Sequence, residues 1–261
     1  MDVDDANNLL KLIPQEVVNE AAIPSAKVVG QSLHGLLSTV LYPTLLLNSF
    51  IQPKIAKLNY KIEKNIAKIP EEYRDSSKPT SILKTIDDAK YNMDAEILID
   101  MFSKLLSNQL DSRVNNAISP KFSTILGNMS TSEAKLINLL FHTEYSILPV
   151  IAVNSKYKNS NNIVKLESNI VLLNSSIEQN ASMLKKQEAD YDLSSLISDG
   201  IIKVDKNFEL TAQKYQDSYM LFESNYEKSH PSYVDQEYSY DRGSVTFTSF
   251  GMVFAKSVID S

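Results

Sequence analysis

The stretch DAEILIDMFSKLLSN, residues 94–108, has the strongest periodicity in the chain and predicts an α-helix. Apolar residues recur in it at intervals of three and four, so they fall on one broad helical face. The residues on this face are Ile97, Leu98, Met101, Phe102, Leu105 and Leu106. A face this wide must be covered by neighbouring elements, so the stretch predicts the centre of a helical core.

Apolar stripes on both sides of this stretch predict the neighbouring helices. One helix follows Pro79, and a shorter helix opens at Ser119-Pro120 and ends at Gly127. The apolar residues of these two helices are Ile82, Ile86, Ala89 and Met93 in the first and Phe122, Ile125 and Leu126 in the second. Residues 1–128 are therefore predicted to form an N-terminal helical bundle in a mainly α protein.

An uncharged apolar window precedes these helices. Residues 28–53, VVGQSLHGLLSTVLYPTLLLNSFIQP, contain no Asp, Glu, Lys or Arg, and a bilayer span needs about 20 predominantly apolar residues. Pro43 and several polar residues interrupt the window. It is compatible with a buried, kinked core helix, with a conditional membrane segment or surface-lying hairpin, or with a permanent transmembrane helix. The predicted membrane contacts in this window are Leu36, Leu37, Leu41, Leu45, Leu46 and Phe50.

A basic amphipathic helix is predicted directly after the window, in residues 54–68. Its apolar face is formed by Ile55, Leu58, Ile62, Ile66 and the following Ile69. Its basic face is formed by Lys54, Lys57, Lys61, Lys64 and Lys68. Because a basic amphipathic helix suits an anionic membrane surface, these five lysines are predicted membrane contacts. The alternative is a solvated face on a core helix.

The second half of the chain, residues 129–261, predicts an α+β module of the winged helix-turn-helix type. It begins with the capping-box pattern Ser130-x-x-Glu133 before an apolar-periodic helix. The elements predicted after it are a helix that stops at Gly200, strands over 201–204 and 244–248, and a final helix over 249–260. The order helix, helix, strand, strand, helix is the one expected of a winged-helix variant.

Two insertions are predicted in this module. An arm over about 152–189 is rich in Asn, Ser and Lys and includes a predicted helix over about 170–186. A long wing over 205–243 includes a predicted helix near 210–223 and a tyrosine-bearing loop around 230–240.

The charge of this module makes sequence-specific DNA an unlikely partner. Residues 205–242 contain eight acids and four bases, and the helix before Gly200 has no Arg or Lys after Glu188. A DNA-reading helix needs a positive field and donors for base edges. The module is therefore predicted to contact protein or to have a purely structural role.

Composition and motifs predict a non-enzyme without a cofactor. The 261-residue chain has a net charge of −6, no Cys and three scattered His residues, so thiol chemistry and Cys-ligated zinc are excluded. No dinucleotide, phosphate-loop, zinc-protease or nucleophile-elbow motif occurs, and no catalytic or metal-binding residue is predicted. Asp2, Asp4 and Asp5 stand where a secretory signal has positive charge, so the expected location is the cytoplasm.

Several segments from about residue 69 to the C-terminus resemble one bacterial protein family. They read IPEE (69–72), DAEILIDMFSKLLS (94–107), DSR (111–113), SPKF (119–122), STSEA (130–134), DGII (199–202) and TSFGMVF (248–254). Together they resemble the abortive-infection alpha (Abi-alpha) family. The chain departs from that pattern at Ser119-Pro120, where His-Pro is expected.

The resemblance implies a role in defence against bacteriophage, in which an infected cell stops growing or dies before the phage matures. We hypothesise that the helical half is a membrane-acting effector and the winged-helix half a sensor or assembly module. The expected partners are a second copy of the chain, a phage-derived or host protein trigger, and the anionic inner membrane on activation. The alternative is a winged-helix transcriptional or regulatory protein that dimerises through its N-terminal helices.

Overall fold

The computed structural model describes residues 52–158, 162–172, 186–232 and 235–259. These ranges contain eight α-helices and four β-strands. In chain order they are α1 (Gln52–Ile66), α2 (Pro79–Ala89), α3 (Glu96–Gln109), α4 (Lys121–Asn128), α5 (Thr131–His142), β1 (Ile147–Tyr157), β2 (Ile163–Val171), α6 (Lys186–Ser198), β3 (Ile202–Asp205), α7 (Gln213–Ser229), β4 (Gln236–Phe247) and α8 (Ser249–Val258). The described residues fall into two compact units. The helical unit ends at Thr131 and also includes the residues from Lys256 onward, and the sheet unit is Ser132–Ala255.

The helix α3 is central to the helical unit, as its periodicity predicts. The helices α1, α2 and α4 all contact it, and α2 also contacts α4. The apolar stripe of α1 faces this core, and its Leu58 and Ile62 are 0% exposed. The predicted helices over 54–68, after Pro79 and over 94–108 are therefore confirmed, with their apolar faces turned inward.

The short helix α4 differs from its prediction at its end. Gly127 lies inside α4, which continues to Asn128, so this glycine does not stop the helix. A Cβ atom added at Gly127 would stand 3.3 Å from the Cβ of Asp88 in α2. The glycine therefore marks a close approach between two helices.

The sheet unit contains one antiparallel sheet with the strand order β2-β1-β4-β3. The central strands β1 and β4 pair along their whole length, from Ile147 opposite Thr246 to Tyr157 opposite Gln236. The helix α7 covers one face of the sheet. Its tyrosines join apolar residues of β1 and β2 in one buried cluster, which includes Ile151, Val153, Ile170, Tyr215, Tyr219 and Tyr226.

Most elements of the predicted α+β module are present, and two of them are longer than expected. The predicted strand over 201–204 is β3, and the predicted strand over 244–248 is the C-terminal part of β4. The predicted helix near 210–223 is α7, which extends to Ser229. The final helix is confirmed as α8, and the helix that stops at Gly200 is confirmed as α6.

The predicted arm and wing differ from the structure in three places. The helix expected over 170–186 is wrong at its start, because Ile170 and Val171 pair with β1 as part of β2. Residues 173–185 lie outside the described ranges. Residues 152–157 of the expected arm continue the central strand β1. Residues 236–240 of the expected loop form the first part of β4, where cross-strand pairing with β1 satisfies their backbone groups.

Candidate functional site

Three of the five predicted lysine contacts form ion pairs with acidic residues at the start of α3. The pairs are Lys54 with Asp94, Lys57 with Glu96, and Lys61 with both Glu96 and Asp100. We call these six residues the lysine–acid row. The acids belong to the DAEILID part of the segment that resembles Abi-alpha, so that segment supplies both the core of the helical unit and the partners of the lysines.

The row changes the pKa values of its own members. Hydrogen bonds from Lys57 and Lys61 lower the pKa of the Glu96 carboxyl below its usual range. Burial alone would lower the pKa of Lys61, but hydrogen bonds and charge attraction from Asp100 and Glu96 outweigh it and raise the pKa. Both shifts favour the charged forms, so the row is a set of mutually stabilised ions at neutral pH.

The remaining predicted membrane contacts are two lysines after Lys61 and six apolar residues before Lys54. Lys64 and Lys68 are exposed, and Lys68 Nζ donates a hydrogen bond to Asn65 Oδ1 at 3.1 Å. The other six residues, Leu36, Leu37, Leu41, Leu45, Leu46 and Phe50, lie outside the described residues, as does the window up to Ile51. No helix in the described ranges is long and apolar enough to cross a membrane.

A second polar cluster surrounds the loop that contains the DSR segment. Asp111 is 6% exposed, and its carboxylate accepts hydrogen bonds from Arg113 Nε at 2.8 Å, Nη2 at 2.6 Å and backbone N at 3.0 Å. The Arg113 guanidinium lies over the Tyr73 ring, 4.9 Å from its centroid. The hydrogen bonds from Arg113 lower the pKa of Asp111, so its carboxylate stays ionised although it is buried.

Backbone hydrogen bonds join this loop to the turn after IPEE. Ser112 N donates to Tyr73 O at 2.8 Å, and Asp75 N donates to Leu110 O at 2.9 Å. Asn115 Nδ2 also donates to Asp75 Oδ2 at 2.8 Å. Burial alone would raise the pKa of Asp75, but hydrogen bonds from Ser77 and Asn115 outweigh it and lower the pKa. The DSR loop and the turn that follows IPEE therefore form one polar cluster.

The two late resembling segments, DGII and TSFGMVF, also meet in the structure. Thr248 Oγ1 donates to Gly200 O at 2.5 Å and accepts a hydrogen bond from Gly251 N at 2.9 Å. Thr248 N donates to Ile201 O at 3.0 Å. Thr248 thus ties the end of α6 to the start of α8, which makes this junction a structural feature of the sheet unit.

Arg242 links α7 and the segment before it to β4. Its guanidinium donates to Glu223 through Nε at 2.7 Å and Nη2 at 2.9 Å, and to Glu209 Oε1 through Nη1 at 2.8 Å. It also lies over the Tyr219 ring, 5.4 Å from the centroid. Tyr219 OH donates to Gly243 O at 2.6 Å, and burial raises the pKa of Tyr219 to about 12. This bidentate arrangement fixes α7 on the sheet.

The helix α6, which the sequence predicted as the recognition helix of a winged-helix module, shows a neutral to acidic surface from residue 191 onward. Tyr191 is 72% exposed, and Ser194, Ile197 and Ser198 are exposed beside it. The opposite side of α6 is buried, and Asp192 there accepts a hydrogen bond from Ser132 Oγ at 2.9 Å. This surface offers an aromatic ring and hydroxyl groups but no cation for a phosphate.

Within the described ranges, no group of His, Asp and Glu side chains is arranged to hold a metal ion. Several ionisable residues in the segments that resemble the family form ion pairs and loop hydrogen bonds; these are Asp94, Glu96, Asp100, Asp111 and Arg113. The sequence identified the lysines, but it missed Asp94, Glu96 and Asp100 as their partners. A signal was present, because Glu96 and Asp100 are spaced by four on a helix predicted to lie in the same bundle.

These features define a helix-rich protein with a four-stranded antiparallel sheet. Several of the segments that resemble Abi-alpha form contacts between its helices, strands and loops. The family model for abortive infection alpha matches residues 51–258, and the chain belongs to the abortive infection alpha family. No match was found among curated proteins or among solved structures. Family membership confirms the resemblance seen in the sequence and suggests an abortive-infection role in phage defence.

Proposed function

We propose that this protein is a non-enzymatic effector of abortive infection whose helical half acts on the inner membrane when infection is sensed. The observation that carries the proposal is the chain order. The basic amphipathic helix α1 begins at Gln52, at the end of the uncharged window of residues 28–53. A helix with one apolar and one basic face can lie in the interface of an anionic membrane. Each Lys near an anionic surface contributes about 1 kcal/mol, so five lysines would give substantial binding.

The sheet unit is proposed as the sensor or assembly module. The elements α5, α6, β3, β4 and α8 follow the order of a winged-helix variant, and β3 and β4 form an antiparallel pair. The exposed part of α6 supports a protein partner, because Tyr191 gives a large rigid contact and residues 191–198 contain no Lys or Arg that could bind phosphate. A phage-derived or host protein, or a second copy of the chain, would dock there.

The first experiment is a phage challenge of cells that express the protein, at low and high phage-to-cell ratios. Abortive infection gives survival of the culture at the low ratio and collapse at the high ratio. A variant without residues 28–53 should express but lose protection. Protection that is unchanged in this variant would contradict the membrane-effector proposal, and no protection against a broad panel of phages would contradict the defence role itself.

A vesicle assay tests the membrane step directly. The full chain is added to dye-loaded vesicles of phosphatidylglycerol and phosphatidylcholine, with pure phosphatidylcholine vesicles as the matched control. Binding and dye release are expected only with the anionic vesicles and should weaken as salt is raised. Equal release from both vesicle types would exclude the proposed role of the lysines.

The second candidate function is a winged-helix regulator that dimerises through its N-terminal helices, and the antiparallel β3–β4 pair favours it. Titration with random-sequence duplex DNA at low salt separates the two candidates. A DNA reader gives strong binding that falls steeply with salt. We expect no such binding from the sheet unit's acidic surface.

A further inference from the structure

We propose that Asp94, Glu96 and Asp100 act as an internal substitute for anionic lipid headgroups, holding α1 in a closed position in which it cannot engage a membrane. The inference rests on the proposed membrane function and adds its regulation. It concerns the lysine–acid row, where the lysines predicted to bind lipid are already bound to carboxylates of the same unit.

A lysine side chain interacts with a carboxylate and with a lipid headgroup through the same chemistry. A carboxylate and a lipid phosphate both present anionic oxygen atoms to the Lys ammonium group, which is a compact point charge without a directional preference. Lys61 contacts Glu96 and Asp100 together, so two carboxylates surround it. These carboxylates occupy two of the three N–H donors of a side chain that is only 19% exposed, so a headgroup has to compete with them for Lys61.

The apolar face of α1 is closed by the same contact. Leu58 and Ile62 are completely buried in the helical unit, and Ile55 and Ile66 are also buried. These are the side chains that an interfacial helix inserts below the headgroups. Separation of α1 from α3 would expose the apolar face and release the row's lysines in one step, which couples the two requirements for membrane binding.

Lys64 and Lys68 differ from the other three lysines because they are not part of the lysine–acid row. They lie on the basic face beyond the row and are exposed in the closed position. They can therefore make a first, salt-sensitive contact with an anionic surface while α1 is still closed. The row then sets how readily the first contact proceeds to insertion of α1.

The test uses the full chain with the double substitution Glu96→Gln and Asp100→Asn. The matched control is Glu71→Gln with Glu72→Gln, which removes the same two charges from an exposed turn of the same unit. The first measurement is hydrogen exchange of the α1 amides, and the second is co-sedimentation with phosphatidylglycerol–phosphatidylcholine vesicles. We expect about tenfold faster α1 exchange and about tenfold tighter vesicle binding in the row variant. The variant removes the three ion pairs made by Glu96 and Asp100, and the combined strength of three exposed pairs corresponds to roughly a tenfold change. The control should match the wild type in both.

A second variant locks the closed position. The chain contains no Cys, so Lys57→Cys with Glu96→Cys provides a unique pair of thiols on α1 and α3. Both positions are partly exposed, and a short reducible bis-thiol crosslinker can bridge them. The crosslinked protein should not bind or permeabilise anionic vesicles, and reduction of the crosslink should restore both properties.

The outcomes separate this inference from the function on which it rests. Unchanged α1 exchange in the row variant, or full membrane activity of the crosslinked protein, overturns the inference. If the wild type and the row variant release dye equally well, the competition is wrong and the membrane function stands. If α1 exchange rises but neither protein binds vesicles, the membrane function is wrong and the competition fails with it.

Discussion

Gly251 lies directly against the backbone of Ile201, and a Cβ atom at position 251 would stand 1.8 Å from the Ile201 carbonyl oxygen. The same carbonyl accepts the hydrogen bond from Thr248 N. A glycine inside a helix costs about 0.5–1 kcal/mol relative to alanine. Its presence in α8 is therefore explained by the need for this close approach, and the glycine of the TSFGMVF segment has a packing role.

The substitution Gly251→Ala should lower the free energy of unfolding by about 3 kcal/mol, because the new methyl group has no space and the backbone of Ile201 would have to move. Gly200→Ala is the matched control. Gly200 has a positive φ of 73° but nothing within 4 Å of an added Cβ, so its cost should be about 1 kcal/mol from backbone strain alone. Urea unfolding followed by circular dichroism measures both values. Equal losses at the two positions would contradict the role given to Gly251.

The hydrogen bonds of Asp111 lead to a second prediction about the stability of the protein. The substitution Asp111→Asn retains the shape of the side chain but removes the charge that the Arg113 guanidinium and backbone N–H contact. We expect a loss of about 2 kcal/mol in the free energy of unfolding. Ser112→Ala, on the exposed position between them, should change it by less than about 0.5 kcal/mol. Thermal unfolding of the three proteins side by side tests this, and an Asp111→Asn protein as stable as the wild type would contradict it.

The helices of the helical unit could be predicted closely from the sequence, because each one is specified by the spacing of apolar residues within its own segment. Each helix there has an apolar stripe with a period near 3.6. The fold buries every residue of the predicted α1 stripe and every residue of the predicted α3 stripe except Ile97, which is half-buried. Lys54, Lys57 and Lys61 could be recognised as one face for the same reason. For their partners the sequence offered only the four-residue spacing of Glu96 and Asp100 as a signal. The pairing itself depends on how two helices separated by a turn and α2 come together, which local patterns do not specify.

The strands β1 and β2 could not be recognised because neither shows a clean alternation. β1 is buried on both sides over most of its length, so ILPVIAVNSKY has no polar face. The pairing of β2 with β1 contains register shifts, and Asn169 in β2 has a positive φ of 53°. A bulge shifts the side-chain alternation by one residue, which removes the period of two.

The N-terminal part of β4 did contain a usable signal. Tyr238 and Tyr240 alternate with Glu237, Ser239 and Asp241, and the structure places the tyrosines against Tyr226 of α7. This period of two was hidden by the polar character of the segment, which suggested a loop. Tyrosine serves here as a large apolar side chain with one polar atom, so counting it as apolar would have predicted the strand.

The contacts of Arg242 lead to a prediction about how α7 is attached to the sheet. Arg242→Ala should lower the free energy of unfolding by about 2 kcal/mol, because Glu223 would be left half-buried without its bidentate partner. Arg242→Lys should recover less than half of this loss, since an ammonium group cannot contact both carboxylate oxygens in the same fork geometry. Lys228→Ala, on the exposed side of α7, is the control and should be neutral within about 0.5 kcal/mol. Full recovery by lysine would show that charge alone, without the fork geometry, holds α7.

The lysine–acid row predicts a defined pH dependence. The pKa of Glu96 is lower in the folded protein than its ordinary value of 4.5, because Lys57 and Lys61 donate hydrogen bonds to its carboxylate. The stability it contributes is therefore fully present above the unfolded-state pKa and is lost as pH falls through the folded-state pKa. Since Glu96 is largely exposed, the contribution should be only about 0.5–1 kcal/mol at low salt. The free energies of unfolding of the wild type and of Glu96→Gln should thus differ by a constant amount near neutral pH, and this difference should disappear as the pH falls below 4.5 and through the folded-state pKa.

The control for Glu96→Gln is Glu71→Gln, a change on an exposed turn outside the row, whose free energy of unfolding should stay within about 0.5 kcal/mol of the wild type near neutral pH. Salt gives an independent check, because an exposed ion pair is screened, and the difference between wild type and Glu96→Gln should shrink as salt is raised toward about 1 M. A difference that persists at low pH and at high salt would mean that Glu96 stabilises α1 by packing instead of charge. The competition proposed for the lipid headgroups would then lose its physical basis, since a protein in which charge does not hold α1 has nothing for an anionic membrane to displace.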